Sequence, residues 1–219
     1  MINKHNNSIW YELLAKCTLE IVFPQEFNNL KSSDKPDLID DSRRMGIEVI
    51  HPIDERHMQL EAYYQKFLSG KKLSEIPEMG LEKFRENLYD VMISQDDGII
   101  HAYRKPYEAF DIELLYRAID KKYEKLNKKH YLHVNHVSLY LEMAMCSLES
   151  MEQSVAEKIL CYAKRLQEQY QISYREIFYD SLMVLYRIDL TTEKITRHDI
   201  SQMSESIMQK FDNTVGINF

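Results

Sequence analysis

The sequence predicts an α/β fold, a mixed central β-sheet flanked by α-helices. Three observations carry that expectation. Segments with helical spacing of apolar residues alternate with short, strand-like runs along the whole chain. Gly and Pro number only five each in 219 residues, which favours long helices and short connections. There is no internal repeat, low-complexity tract or obvious linker. The length suits a single domain over 1–219, or one domain with a sizeable embellishment, and is enough to bury a core without disulfide or metal.

The elements follow in order. Residues 8–22, "SIWYELLAKCTLEIV", read as a helix with Ser8 as N-cap. Trp10, Leu13, Leu14, Cys17 and Ile21 share its apolar face; Glu20 borders that face and Glu12 lies further toward solvent. "PDLID" and "MGIEVIH" read as two strands joined by the polar turn "DSRR". "IDERHMQLEAYYQKFL" is helical, with Leu60, Tyr64, Phe67 and Leu68 facing inward. "SGKKLSEIPEMG" is a loop, "LEKFRENLYDVM" a shorter helix, and "SQDDGIIHAYRK" a turn with a strand.

A long helix is expected from about Pro106 to Lys128, opening on proline and bearing two apolar stripes, so it packs on more than one side. Lys121, Lys122, Lys125 and Lys128 load its end. "HVSLYLEMAM" is strand-like, "SMEQSVAEKILCYAKRLQEQY" an amphipathic helix, and "EIFYDSLMVLYRIDLTTEKITRHDI" one or two strands, a turn and a closing strand. The motif-bearing core lies at about 8–68, and the later elements complete or extend the sheet.

A net charge of −7 provides no overall attraction to nucleic acid, so a nucleic-acid enzyme of this balance needs a local basic surface and divalent cations. Cys17, Cys146 and Cys161 are odd in number and lack zinc-site spacing; they read as reduced core residues of a cytoplasmic protein. No signal-peptide run and no stretch of roughly 18–20 apolar residues occurs, so no membrane role is expected. The lack of a Gly-rich phosphate loop argues against a nucleotide-hydrolysing motor.

The chemistry concentrates in "KPDLIDDSRRMGIEVIH", Lys35 to His51. Side chains alternate along strands, so Lys35 and Asp37 share one face, as do Gly46, Glu48 and Ile50. If the strands pair, Asp37 and Glu48 converge. Two close carboxylates repel unless a cation joins them, and oxygen ligands suit Mg²⁺ or Mn²⁺. Such an ion lowers the pKa of bound water and neutralises charge on a phosphodiester.

The run "KPDLI…GIEVI", set between two helices, resembles the PD-(D/E)xK nuclease superfamily with its restriction-endonuclease-like fold. The resemblance implies that Pro36 and Asp37 match the "PD" element, that Glu48 is the second acid, and that the Val49 carbonyl faces the metal. Glu20 is the candidate acid on the first helix, with Glu12 in reserve. Ile50 stands where the family has a lysine that activates water and offsets developing negative charge.

The superfamily moves that group between elements. Gln59, Tyr63 and Lys66 lie on one flank of the following helix, and "QLEAY" is similar to the Gln-x-x-x-Tyr element of helicase-associated members. Lys35 is a further donor. The implied activity is metal-dependent hydrolysis of DNA, with RNA as another substrate, and a homodimer where both strands are cut. The alternative is a catalytically inactive nuclease-fold module that binds nucleic acid or a protein partner. A solvated hairpin unrelated to nucleases is the bland alternative for the two acids, which the helices on either side make the least attractive.

Other features read as structural first. His130, His133 and His136 are three apart, but a strand would send His133 to the opposite face. His51 and His57 lie near the acids, where a histidine serves as a base or contacts phosphate, although a partly buried structural role is commoner. The lysines of the long helix, with Arg43, Arg44, Lys71 and Lys72, offer basic ground for a phosphate backbone or are simply solubilising.

Overall fold

The computed structural model describes residues 4–52, 55–86, 89–104, 112–128, 134–142, 149–181 and 183–215. The chain divides into two compact units, one made of Met1–Pro52 with Ile112–Phe219, the other of Ile53–Asp111. Residues 53–111 are thus an insertion between two parts of the larger unit.

The larger unit begins with α1 (Lys4–Val22) and a single turn, α2 (Pro24–Phe27). Three strands follow: β1 (Lys31–Ser32), β2 (Leu38–Asp40) and β3 (Met45–Ile50). The insertion holds α3 (Glu55–Phe67), α4 (Glu78–Glu86), β4 (Asp90–Ile93) and β5 (Ile100–Arg104). The larger unit resumes with α5 (Ile112–Lys128), β6 (His136–Glu142) and α6 (Glu149–Gln169). It ends with β7 (Glu176–Asp180), β8 (Val184–Asp189), β9 (Lys194–Asp199) and α7 (Ser204–Val215).

The seven strands of the larger unit form one mixed sheet in the order β1-β2-β3-β6-β7-β8-β9. The central pairs β3–β6 and β6–β7 are parallel and the flanking pairs antiparallel. The three central strands are buried at nearly every position, as expected of a sheet covered on both faces. On one face Leu38, Met45, Ile47, Val49, Tyr140 and Phe178 pack against Ala15 and Leu19 of α1 and Phe27 of α2. The register puts Gly46, Glu48 and Ile50 on the other face, with Leu139 and Leu141.

Helix α5 buries Leu115, Ile119, Tyr123 and Leu126, an i, i+4, i+8, i+11 stripe. Asn127 ties its C-terminal turn down: the side-chain amide donates to the carbonyls of Tyr123 (2.9 Å) and Ile172 (2.8 Å) and accepts from Ile172 N–H at 3.0 Å.

Several expectations change. The first helix already includes Lys4, so Ser8 is interior and not its N-cap. The loop over 69–80 contains the start of α4, and the predicted helix "LEKFRENLYDVM" ends at Glu86, its last residues joining β4. There Asp90–Ile93 pairs antiparallel with β5. The long helix is described from Ile112; its expected start at Pro106 lies outside the described residues. Helix α7 had no counterpart in the sequence reading. It packs Ile207 and Phe211 against Leu14 and Cys17 of α1, which supplies the reason a short polar-looking segment becomes helical. Cys161 is exposed on α6, not in the core, whereas Cys17 is buried; Cys146 lies outside the described residues.

Candidate functional site

The β2–β3 register pairs Leu38 with Ile47, Ile39 with Gly46 and Asp40 with Met45. Continued by one residue, it sets Asp37 across from Glu48. Residues opposite one another on antiparallel strands share a face. Glu48 therefore leaves β3 on the side away from α1, and its side chain is 0% exposed.

Two local features hold Asp37 there. Its Oδ2 accepts the Val49 backbone N–H at 2.7 Å. Pro36, just before it, packs so closely on Gly46 that a Cβ at position 46 would lie 2.3 Å from the proline Cγ. Only glycine leaves room for that ring. The turn between the strands is closed by Asp40, whose Oδ1 accepts Ser42 N–H (2.9 Å), Ser42 Oγ–H (2.6 Å) and Arg43 N–H (3.2 Å).

Two ammonium groups from α5 complete the cluster. Lys122 Nζ donates to Asp37 Oδ2 at 3.1 Å and also to Glu48 Oε2, so one cation bridges both carboxylates. Lys125 Nζ donates to both oxygens of Glu48, at 3.0 and 2.9 Å. A spacing of three residues brings the two lysines to one flank of the helix. The Lys122 backbone is itself held, its carbonyl accepting the Tyr174 hydroxyl at 3.1 Å.

Burial raises the Asp37 carboxyl above its ordinary range, and Glu48 adds to the rise against the pull of Lys122 and the Val49 N–H. For Lys122, burial opposes the charge, but Asp37 and Glu48 outweigh it and the net shift is upward. Two acids and two ammoniums balance in charge.

Each of the other sequence candidates has its own described surroundings. Glu20 is buried, on the helix that covers the opposite sheet face, and its oxygens pair with Lys16 at 2.9 Å and Lys210 at 2.7 Å. Val49 contributes through its N–H, as described. Gln59, Tyr63 and Lys66 belong to α3 in the inserted unit. Gln59 and Lys66 are exposed there, with the Lys66 ammonium 5.0 Å from the Phe67 ring centroid. Tyr63 packs on Phe67 and Phe84.

Lys35 pairs with its neighbour Asp34 at 2.9 Å. Ile50 is buried. His51 stacks on Tyr11 of α1, ring centroids 3.8 Å apart, with Nδ1 3.1 Å from Glu142 Oε2. It thus faces the α1 layer, away from Glu48. His136 begins β6, while His130 and His133 lie outside the described residues. Among the described residues no group of three or more His, Cys, Asp or Glu side chains is placed to hold a metal ion.

No sequence motif marks Lys122 and Lys125 as partners of the two acids. Their i, i+3 spacing in "KKYEK" was visible, but only as part of a basic helix end. Comparison with models of known protein families, with curated proteins and with solved structures found no match to this chain.

Chemically, the site offers two converging carboxylates, a backbone donor and two ammoniums, partly open to solvent on the lysine side: Lys125 is 29% and Lys122 19% exposed. No described helix is long and apolar enough to cross a membrane.

Proposed function

We propose that this chain is a metal-dependent nuclease of the restriction-endonuclease-like kind, hydrolysing DNA phosphodiester bonds at the Asp37–Glu48 pair. The observation that carries the reading is the bridging of both carboxylates by one ammonium, Lys122. Oxygens that converge on a single cationic centre suit one Mg²⁺ or Mn²⁺ held by Asp37 and Glu48, with coordination otherwise left to water and substrate. When bound, such an ion supplies charge neutralisation on the phosphate and a more acidic water.

The chain's own residues do the rest. Val49 N–H and the Pro36–Gly46 contact keep Asp37 in place. Lys122 takes the work of the lysine missing at Ile50, a role that the sequence alone had suggested for Gln59 or Lys66. Its ammonium orients the attacking water and offsets the negative charge that develops on the phosphate. Lys125, Lys121 and Lys128 continue the basic ground along α5 for the backbone.

The order of elements supports the same reading. With residues 53–111 set aside, the larger unit opens α1, α2, β1, β2, β3, α5 and β6, so a helix and its short extension, three strands, a second helix and a strand parallel to β3 follow one another. The restriction-endonuclease-like core is a helix, a strand hairpin carrying the motif, a second helix and a further strand, and α5 would serve as that second helix.

The test is incubation of the full chain with duplex DNA, single-stranded DNA and RNA in Mg²⁺ or Mn²⁺. Cleavage is expected, lowered about 100-fold or more in Glu48→Gln and in Asp37→Asn. Cleavage that persists in the double variant overturns the assignment. One observation favours a second reading: the two lysines already neutralise the two acids. A charge-closed site of this kind would suit a non-catalytic module, shown by DNA or RNA binding without cleavage under any divalent cation.

A further inference from the structure

Resting on the nuclease reading, we infer that Lys122 and Lys125 are built-in counter-ions that compete with the divalent cation for Asp37 and Glu48, so that metal and nucleic acid each strengthen the other's binding. Both oxygens of Glu48 are held by ammonium donors, and the Asp37 oxygen that faces Glu48 shares one of them. A cation cannot reach this pair without displacing at least one lysine.

The two lysines are not equivalent. Lys122 touches both acids, is the less exposed, and is anchored through its own carbonyl by Tyr174. Lys125 touches Glu48 alone and is the more exposed. Its flexible stem can carry the ammonium out to solvent. Lys125 is therefore the group that leaves.

Charge dictates where it goes. Among the described residues the two ammoniums balance the two acids, and an added divalent cation leaves an excess of two positive charges. A phosphodiester beside the cluster restores part of the balance, and the released Lys125 ammonium is at hand to receive it. Conversely, a phosphate that draws Lys125 away uncovers Glu48 for the cation. Each ligand thus performs part of the work of the other, and the coupling must be reciprocal. The protein by itself should hold the cation weakly, so hydrolysis is confined to the ternary complex.

The experiment is titration of the full chain with Mn²⁺, followed by electron paramagnetic resonance, with and without a cleavage-resistant phosphorothioate duplex. In the wild type, the duplex should tighten Mn²⁺ binding about tenfold, within the usual range of such couplings. Lys125→Gln removes the competitor, so it should bind Mn²⁺ about tenfold more tightly without the duplex and lose most of the coupling. Lys125→Arg keeps a cation and should stay close to wild type. Circular dichroism establishes that each variant is folded.

Equal Mn²⁺ affinity in the wild type and Lys125→Gln, or weaker binding in Lys125→Gln, overturns the inference. If cleavage nevertheless persists and depends on Asp37 and Glu48, the nuclease reading stands without it. Tighter binding in Lys125→Gln with no cleavage by the wild type leaves the counter-ions in place and removes the nuclease. No Mn²⁺ binding by any variant overturns both.

Discussion

Replacing Lys122 by methionine probes the cluster directly. The change keeps much of the side-chain volume and removes an ammonium that touches both acids. Glu48 is 0% and Asp37 15% exposed at the side chain, so neither can fully rehydrate in place. Removing one partner of a buried ion pair costs about 3–5 kcal/mol, whereas an exposed pair is worth about 1 kcal/mol or less. Lys125 still covers Glu48, so the lower end applies: about 3 kcal/mol, or a fall in Tm of roughly 6–12 °C for a chain of this size.

The loss should depend on pH with a definite sign. The folded-state pKa of Asp37 lies above its ordinary 3.8, so its ionisation opposes folding and that opposition fades as pH falls through the raised value. Lys122 is a cause that lowers this pKa, and without it the carboxyl rises further. The deficit of Lys122→Met should therefore shrink as pH falls through the raised value toward the ordinary 3.8. For Lys122 itself the folded pKa is raised, so its contribution is complete below 10.5 and is lost as pH climbs through the higher folded value. Urea unfolding at a series of pH values, on wild type and variant, measures both. A deficit under about 1 kcal/mol at neutral pH, or one that stays unchanged as pH falls to the ordinary 3.8, refutes a desolvated, charge-locked cluster.

Other outcomes follow from single contacts. Gly46→Ala should cost about 1–3 kcal/mol by thermal melting, and Pro36→Ala in the same chain should recover much of it; additive losses would show that the Pro36 ring is not what excludes the methyl group. Asp40→Ala should cost about 1–3 kcal/mol at neutral pH by urea unfolding, since three donors lose their acceptor. Burial tends to raise the Asp40 carboxyl, but Ser42 and Arg43 outweigh it and hold it below 3.8; its contribution is present above that value and disappears as pH falls through the depressed one. Iodoacetamide followed by peptide mass spectrometry should label Cys161 well before Cys17, because Cys17 is buried and its thiol is pushed up by that burial. Faster labelling of Cys17 would contradict the α1–α7 packing.

Much of the architecture was legible because its signals are local. Period-two runs marked β2, β3 and β6, and apolar stripes marked α1, α3, α5 and α6. The pairing of "PDLID" with "GIEVI" across a short polar turn was enough to place Asp37 beside Glu48. Helix α7 escaped notice because its few apolar residues acquire meaning only against α1. The cations that meet the two acids come from α5, which residues 53–111 separate from β3 along the chain.

By itself, then, the sequence determined the two acids and the alternation that turns Asp37 and Glu48 to one face. Those are properties of neighbouring residues and of backbone geometry. The partners of the acids were a tertiary matter. Lys122 lies 85 residues from Asp37 and 74 from Glu48, and no local pattern couples positions so far apart. They meet because β3 pairs in parallel with β6, and α5, preceding β6, packs on the face where Glu48 emerges. Two buried carboxylates then need positive charge at close range, and the helix that covers them supplies it.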